Sequence, residues 1–489
     1  MKRVALSLLL ALACAPQKAA EKPAQQPPKP APSAAPDLEA FRKQRPEAGK
    51  PGSFQYPTPT AIELPNGFRV LYVRRPGRVV SLTLVVRHGA SSVPEGKSGL
   101  AGLVARMLGE STRQRPAMAL AEAVESLGTT LGTAAGRDDS RVSMTVLPAD
   151  FEPALRLLGE VVMEPAFAPR DFERVKNEWL DGVRAERQDP QRLAALTAVR
   201  ALNGPVLGAP VNGSLSHVKR LGVADLKDFH ARAYTPDNSS LIVVGEVEEA
   251  AVRAEVTRLF GTWRGKNGIA PLTPPAVQKP TKTRILIVDR PDAVQTAISA
   301  VQSFPKRSEP GHEAREILIT AVGGLFTSRL NTNLREEHAF TYGAFAHSQE
   351  ARYLGTLVVG TSVRTPVTAQ ALSEIRSELE AVRGREPVTE QELGRSRADL
   401  VFSLGATLEH PNRIAGTLST LVIDSLPLDY YTRFASEIAA VSPTQVSDAA
   451  RLLVPESLLV VLVGDQKQFL PELTKAGFAT EPAAPELTD

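Results

Sequence analysis

This chain of 489 residues contains a single cysteine and no pair of histidines at the spacing of a zinc-binding helix. Cys14 is the only cysteine, so no disulfide can form within one chain. The seven histidines include no two at positions i and i+4, the spacing at which ligands on one helix face can share a tetrahedral zinc ion. These absences exclude a disulfide-stapled scaffold and a zinc helix of the two-histidine type.

The chain also has a small net charge and no phosphate-binding motif of the Walker type. The net charge of +3 is small for this length, and we expect no nucleic-acid partner. Gly323-Gly324 lacks the spacing of a Walker loop, so it predicts close packing of a helix or loop rather than a nucleotide site. An apolar fraction of 43% is typical of a globular protein, and the length allows two to four domains.

The N-terminus has the pattern of an export signal. Lys2 and Arg3 precede the apolar segment Val4–Ala13, which is too short to cross a bilayer. Ala11-Leu12-Ala13-Cys14 resembles a bacterial lipoprotein signal, in which the cysteine is lipidated. Ala11 stands where leucine is usual, and ordinary signal-peptidase cleavage also fits.

The export signal predicts an anchored protein. We assign residues 1–14 to a signal peptide with a lipobox and residues 15–52 to a disordered tether rich in proline and alanine. The expected location is the bacterial cell envelope, as a periplasmic lipoprotein attached to the membrane through Cys14.

An internal repeat organises the rest of the chain. Pro236 and Gly245 bracket the apolar run 241–244, and Pro455 and Gly464 bracket a similar run at 459–463. The proline-to-glycine spacing is 9 residues in both copies, and the copies are offset by 219 residues (455 − 236). The repeat predicts a first half at 53–265, a linker at 266–282, a second half at 283–476 and a tail at 477–489.

Each half combines strands with long helices. Thr60–Val73 has alternating apolar residues around a Pro-Asn-Gly turn, and Val80–Val86 reads as the next strand. Pro116–Leu127 and Asp150–Met163 have helical apolar spacing. The predicted fold class is therefore α+β, with two homologous sandwich halves, each a mixed sheet packed with helices.

The segment Gly99–Leu108 resembles the inverted zinc motif of the pitrilysin/insulinase metallopeptidase family, His-x-x-Glu-His. In that alignment Gly102 and Arg106 replace the two histidine ligands, and Ala105 replaces the catalytic glutamate. Glycine and alanine cannot bind zinc, and arginine is a permanent cation that repels it.

The family's remaining ligand is a glutamate on a later helix. The resemblance places this position at Gly182 and a helper glutamate at Val175, although Glu178 or Asp181 fits in another register. No register restores the two histidines, so we expect no metal in this chain. Zinc is expected in a partner subunit instead.

A second motif of the family is intact. Gly323–Leu330, Leu334–Glu337 and Thr341–Gly343 resemble the family segment in which an arginine and a tyrosine, seven residues apart, serve the zinc site of the opposite domain. They map to Arg335 and Tyr342. Each can donate hydrogen bonds to the carbonyl oxygen that becomes negative during peptide hydrolysis. The alternative is structural, with Arg335 paired to Glu336 or Glu337.

The resemblance implies a clamshell of two halves and a role in peptide hydrolysis. Family members such as the mitochondrial processing peptidase and its bacterial relatives pair a zinc-bearing subunit with a degenerate one. We therefore expect this chain to be the zinc-less subunit of a heterodimer, with Arg335 and Tyr342 acting in trans on peptide substrate. The alternative is a lipid-anchored peptide-binding or scaffold protein of the cell envelope with no part in catalysis.

Overall fold

The computed structural model describes residues 54–273 and 281–489. Cys14, the signal peptide, the tether and part of the linker lie outside the described residues. The strands of the first half are β1 (Thr60–Glu63), β2 (Arg69–Arg74), β3 (Val80–Val86), β4 (Gly132–Ala135), β5 (Ser140–Val146) and β6 (Ser239–Gly245). Those of the second half are β7 (Arg284–Asp289), β8 (Gln295–Phe304), β9 (Thr341–Glu350), β10 (Gly355–Arg364), β11 (Leu459–Gly464) and β12 (Thr480–Pro482).

Helices surround both sheets. The first half contains α1 (Leu100–Leu108), α2 (Ala117–Glu125), α3 (Phe151–Met163), α4 (Pro169–Gln188), α5 (Pro190–Leu207), α6 (Leu215–Arg220), α7 (Val223–Ala233) and α8 (Glu249–Phe260). The second half contains α9 (His312–Ile319), α10 (Arg329–Asn331), α11 (Thr368–Arg383), α12 (Glu390–Thr407), α13 (Pro411–Ile423), α14 (Tyr430–Ala440), α15 (Pro443–Ala450), α16 (Gln466–Lys475) and α17 (Pro485–Thr488). Two π-helical turns, Thr320–Gly324 and Thr332–Glu337, flank α10.

The two sheets have the same internal arrangement. Their strand orders are β1-β2-β6-β3-β5-β4 and β12-β7-β11-β8-β10-β9. The repeated strands β6 and β11 each pair in parallel with one neighbour and antiparallel with the other. Both are buried along their whole length and rich in valine, leucine or isoleucine, as expected for strands with both faces covered. The predicted α+β fold of two similar mixed-sheet halves is confirmed.

The second half extends past its predicted boundary at residue 476. Thr480–Pro482 forms β12, which pairs in parallel with β7 at the edge of the second sheet. The backbone carbonyl of Asp489 then accepts hydrogen bonds from Arg187 at 3.0 Å and Arg200 at 3.1 Å. The segment predicted as a tail thus adds a strand to the second sheet, and Asp489 ties it to the first half through two guanidinium groups.

The halves exchange helices across their sheets. α5, from the first half, packs Leu193, Ala198 and Leu202 on the second sheet, against side chains that include Val358 and Val461. α13, from the second half, packs on β3 and β6 of the first sheet. Each sheet therefore has its own helices on one face and a helix of the other half on the opposite face.

The described part of the chain includes no membrane-spanning element of the helical type. Within residues 54–273 and 281–489, no helix combines the length and the apolar composition needed to cross a bilayer.

Candidate functional site

The segment that resembles the zinc motif forms α1, which packs against α4. α1 begins after Gly99, whose φ of 91° favours glycine, and it is apolar and buried along most of its length. Gly102, Ala105 and Arg106 lie on α1, and Gly182 lies on α4. The structure therefore brings the three degenerate ligand positions and the position of the catalytic glutamate onto two packed helices.

Trp179 occupies the space next to Gly102. A Cβ atom built on Gly102 would lie 2.5 Å from Cζ2 and 2.8 Å from Cη2 of the Trp179 indole. The indole is held in place, since its Nε1 donates a hydrogen bond to the carbonyl oxygen of Asn212 at 2.8 Å. A side chain at residue 102 would thus meet a fixed aromatic ring, and the room that a histidine ligand needs is filled.

Four charged side chains close a ring between α1 and α4. Arg106 and Arg174 both pair with the buried carboxylate of Glu110. Arg174 Nη1 lies 2.8 Å from Glu178 Oε1, and Arg106 Nη2 lies 3.9 Å from Glu178 Oε2. The hydrogen bond to Glu178 and the charge of Glu110 raise the pKa of Arg174. The signs alternate, so each carboxylate already has cationic partners.

These residues do not fit a zinc ion. Gly102, Ala105 and Gly182 offer no donor atom, and Arg106 brings a fixed positive charge. Glu178, the ligand position in the alternative register, is paired with Arg174, and Asp181 is paired with Arg184. In place of a metal centre, the two helices are joined by ion pairs and an indole ring.

A small cavity remains beside the degenerate positions. It has a volume of about 350 Å³ and is lined by Trp179, Arg106, Glu178 and Gly182 among others. A Cβ atom on Gly182 would meet nothing within 4 Å, so this glycine faces open space. We refer to this space as the α1–α4 cavity.

Among the described residues, one other cluster has metal-ligand geometry. The ligand atoms of His312, Glu316 and Glu350 lie within 4.8 Å of one another. Arg307 lies in the same cluster. Its Nη2 atom is 3.0 Å from Oε2 of Glu350, and its Nη1 atom is 3.1 Å from Nε2 of His312. Because a guanidinium can only donate, Nε2 accepts and the proton lies on Nδ1, 3.1 Å from Glu350 Oε1. Arg307 thus places a permanent positive charge beside Glu350 and His312, where a metal cation would have to bind.

Arg335 lies on a π-helical turn, an irregular helix form often found at functional sites. Its guanidinium carbon is 4.2 Å from the centre of the Phe326 ring, a cation–π contact. Its Nη1 is 3.4 Å from Glu336 Oε1, so the structural pairing predicted as the alternative is present as well. Phe326 is 66% exposed and the Arg335 side chain is 32% exposed, so the phenyl ring covers part of the guanidinium from solvent.

Tyr342 is the second residue of β9 and is 90% exposed. It lines a cavity of about 460 Å³ together with Pro190 and Gln191 at the start of α5. Asn331 connects the two parts of the motif, because its Nδ2 donates to the carbonyl of Phe326 at 2.8 Å and its Oδ1 accepts from the backbone N–H of Ala344 at 3.0 Å. The motif is therefore one connected surface unit.

The two predicted sites are separate within this chain. The described residues that line the α1–α4 cavity include neither Arg335 nor Tyr342. Arg329, of the same motif, holds the start of α12 through Glu392 and the carbonyl oxygens of Glu386 and Pro387, which is a structural role.

Sequence reasoning missed Trp179, Glu110 and Arg174. The spacing of four residues in Arg106–Glu110 and in Arg174–Glu178 predicts pairing within each helix. No pattern in the sequence indicates the contacts between the helices.

Comparison with known proteins gives a consistent result. The family model for insulinase (peptidase family M16) matches residues 69–209, and the model for the peptidase M16 inactive domain matches residues 220–400. A relative in Mycobacterium tuberculosis, named an uncharacterized zinc protease, is 28% identical over 86% of this chain and 96% of its own length. A non-peptidase homolog of Helicobacter pylori is 22% identical over 75% of this chain and 84% of its own. The crystal structure of a peptidase M16 inactive domain from Pseudomonas fluorescens has a TM-score of 0.77 at 25% identity, covering 83% of this chain and 98% of that one.

Proposed function

Because the chain belongs to the insulinase family, peptidase family M16, we propose that it is the zinc-less subunit of a heterodimeric zinc metallopeptidase. In this proposal Arg335 and Tyr342 act in trans, in the active site of a zinc-bearing homologous partner. The observation that carries the proposal is the contrast between a metal site filled by Trp179 and a donor motif with Tyr342 90% exposed.

The exposed aromatic residues support an interface at the donor motif. Phe326 is 66% exposed and Phe345, which lies on β9 with Tyr342, is 44% exposed. Large exposed apolar groups that cluster on a surface are typical of protein–protein contacts, where tyrosine, phenylalanine and arginine are enriched. A partner that covers this surface would enclose Arg335 and Tyr342.

The chemistry assigned to this chain is the binding and polarisation of a peptide. The Tyr342 hydroxyl and the Arg335 guanidinium would donate hydrogen bonds to the scissile carbonyl oxygen, which becomes negative in the tetrahedral transition state. The stacking of Arg335 on Phe326 restricts the motion of the guanidinium, so less entropy is lost when it meets the substrate. Zinc in the partner would supply the activated water.

The proposed location is the cell envelope. It rests on the export signal and on Cys14, which belong to residues 1–52, with lipidation of Cys14 as the anchor to the membrane.

The test is a reconstituted pair of subunits assayed for peptide cleavage. Arg335→Ala and Tyr342→Phe should each lower kcat on the order of 10²-fold, because each removes one donor to the developing negative charge. Zinc content and subunit association should stay the same. Arg385→Ala is the matched control, since Arg385 is an arginine of the second half at 64% side-chain exposure, outside the donor motif.

Two outcomes would contradict the role in trans. Unchanged turnover in both variants would show that neither Arg335 nor Tyr342 takes part in catalysis. Loss of association with normal turnover in the remaining complex would assign them to assembly, in favour of the scaffold function.

A further inference from the structure

A second cavity lies between the two halves, and the function proposed above does not use it. Its volume is about 630 Å³, which is in the range of small-ligand sites. Its walls are α5 of the first half, the loop after α5, and the end of β9 in the second half. We refer to it as the α5–β9 cavity. It adjoins the α1–α4 cavity, with which it shares Glu186 and Asn212.

Both acidic groups of the α5–β9 cavity are already engaged. Glu350 is paired with Arg307 at 3.0 Å and faces His312 at 3.1 Å. Glu186 accepts a hydrogen bond from Asn212 Nδ2 at 2.8 Å and lies 3.5 Å from Arg187. The negative charges on the wall are therefore compensated.

Two arginines of the same cavity have no such compensation. Arg137 donates to the carbonyl oxygens of Leu207 and Ala209, which leaves its positive charge without a carboxylate within 4 Å among residues 54–273 and 281–489. Burial lowers the pKa of Arg137, as expected for a cation that is poorly balanced. Arg192 is exposed and also lacks a carboxylate partner in that part of the chain.

The remaining wall is partly apolar, with Ser348 and Gln349 among its polar side chains. Leu196 and Val199 follow Arg192 on one face of α5, at spacings of four and seven residues. Ala351 and Leu354 face the cavity from the second half. The cavity thus combines an apolar surface with two uncompensated guanidinium groups, whose planar donors match the two oxygens of a carboxylate.

We propose that the α5–β9 cavity binds a carboxylate carried on an apolar chain. Arg137 is the half-buried partner of the carboxylate, Arg192 is the exposed one, and Leu196, Val199 and Leu354 contact the chain. The C-terminal residue of a short peptide and a fatty acid share this chemistry. The site belongs to this subunit alone, so it does not depend on a catalytic partner.

Calorimetric titration of the full chain tests the site. Three probes are compared: the tetrapeptide Ala-Leu-Ala-Leu with a free C-terminus, the same peptide as its C-terminal amide, and decanoate. At least one of the two acids should bind, and the peptide amide should show no measurable binding. Binding of the peptide acid alone identifies a peptide terminus as the ligand class, and binding of decanoate alone identifies a fatty acid.

Four variants separate recognition of the ligand's charge from an effect on folding. Arg192→Gln should weaken the acid that binds by at least about tenfold, the effect of one charge-assisted hydrogen bond. Arg184→Gln is the matched control, because Arg184 is an exposed arginine of α4 that pairs with Asp181 and does not line the cavity. Arg137→Lys keeps the half-buried charge and should retain binding even if Arg137→Gln fails to fold.

The proposal is overturned if neither acid binds at millimolar concentration, if the peptide acid and its amide bind equally, or if Arg192→Gln binds as the parent does. None of these results bears on catalysis in trans, which is measured with the partner present.

Discussion

Alanine at the two glycines of the degenerate metal site should change stability in opposite directions. Gly102 and Gly182 both lie inside helices, where alanine is favoured over glycine by about 0.5–1 kcal/mol. Gly182 faces open space, so Gly182→Ala should stabilise the protein by about that amount. At Gly102 the new methyl group would lie 2.5 Å from the Trp179 ring.

The size of the stability loss expected for Gly102→Ala follows from the fixed position of the Trp179 indole. The indole cannot move away without losing its 2.8 Å hydrogen bond to Asn212. Overpacking of this kind costs about 1–3 kcal/mol, which exceeds the gain in helix propensity. Gly102→Ala should therefore destabilise the protein, and the two variants should differ by about 1–3 kcal/mol, since the propensity gain is common to both.

Urea unfolding of the two variants, followed by circular dichroism, measures this difference. The control is the same Gly102→Ala change in a Trp179→Ala background. There the ring is absent, and the substitution should stabilise by about 0.5–1 kcal/mol, as at Gly182. If Gly102→Ala in the parent protein is as stabilising as Gly182→Ala, Trp179 does not fill the former ligand space and the reasoning is refuted.

Two further predictions concern buried charge. Glu110→Gln should destabilise by about 1–3 kcal/mol, because it removes the buried negative charge between two arginines and one of the two oxygens that accept from them. Glu178→Gln, at a side chain that is 54% exposed, should cost less than about 1 kcal/mol in the same urea assay, and equal losses would contradict the burial argument. Burial lowers the pKa of His230 from 6.5 to about 4. Since the unfolded chain takes up this proton first, the stability from neutral His230 is complete above pH 6.5 and is lost as the pH falls toward 4. His230→Gln keeps a donor for the carbonyl of Val162, so its stability should fall less between pH 7 and 4.5, and a slope equal to that of the parent would contradict this assignment.

Local elements of the fold were predictable because their signals are short-range. The strand expected at Val80–Val86 has those bounds, and the helices expected at 116–127 and 150–163 lie at 117–125 and 151–163. The repeat predicted two halves because a proline, an apolar run and a glycine recur at a fixed spacing. These patterns reflect the backbone and the burial of a single element.

Contacts between elements were not predictable in the same way. The apolar residues on both faces of β6 and β11 indicate that both faces are covered, but no local pattern says that the cover comes from the opposite half. For the site, the loss of ligand atoms could be read from Gly102 and Arg106 directly. The filling of the same space by Trp179 depends on how α4 is placed against α1, which only the folded structure reveals.

The exchange of α5 and α13 bears on how a chain of this kind could have arisen. A polypeptide corresponding to one half would leave one face of its sheet bare, unless a second copy supplied the missing helix. Such a polypeptide would be stable as a symmetric pair with swapped helices, and joining two copies in one gene would turn an association between molecules into a covalent one. After that event the halves could diverge, and the first could lose its catalytic groups without loss of the fold.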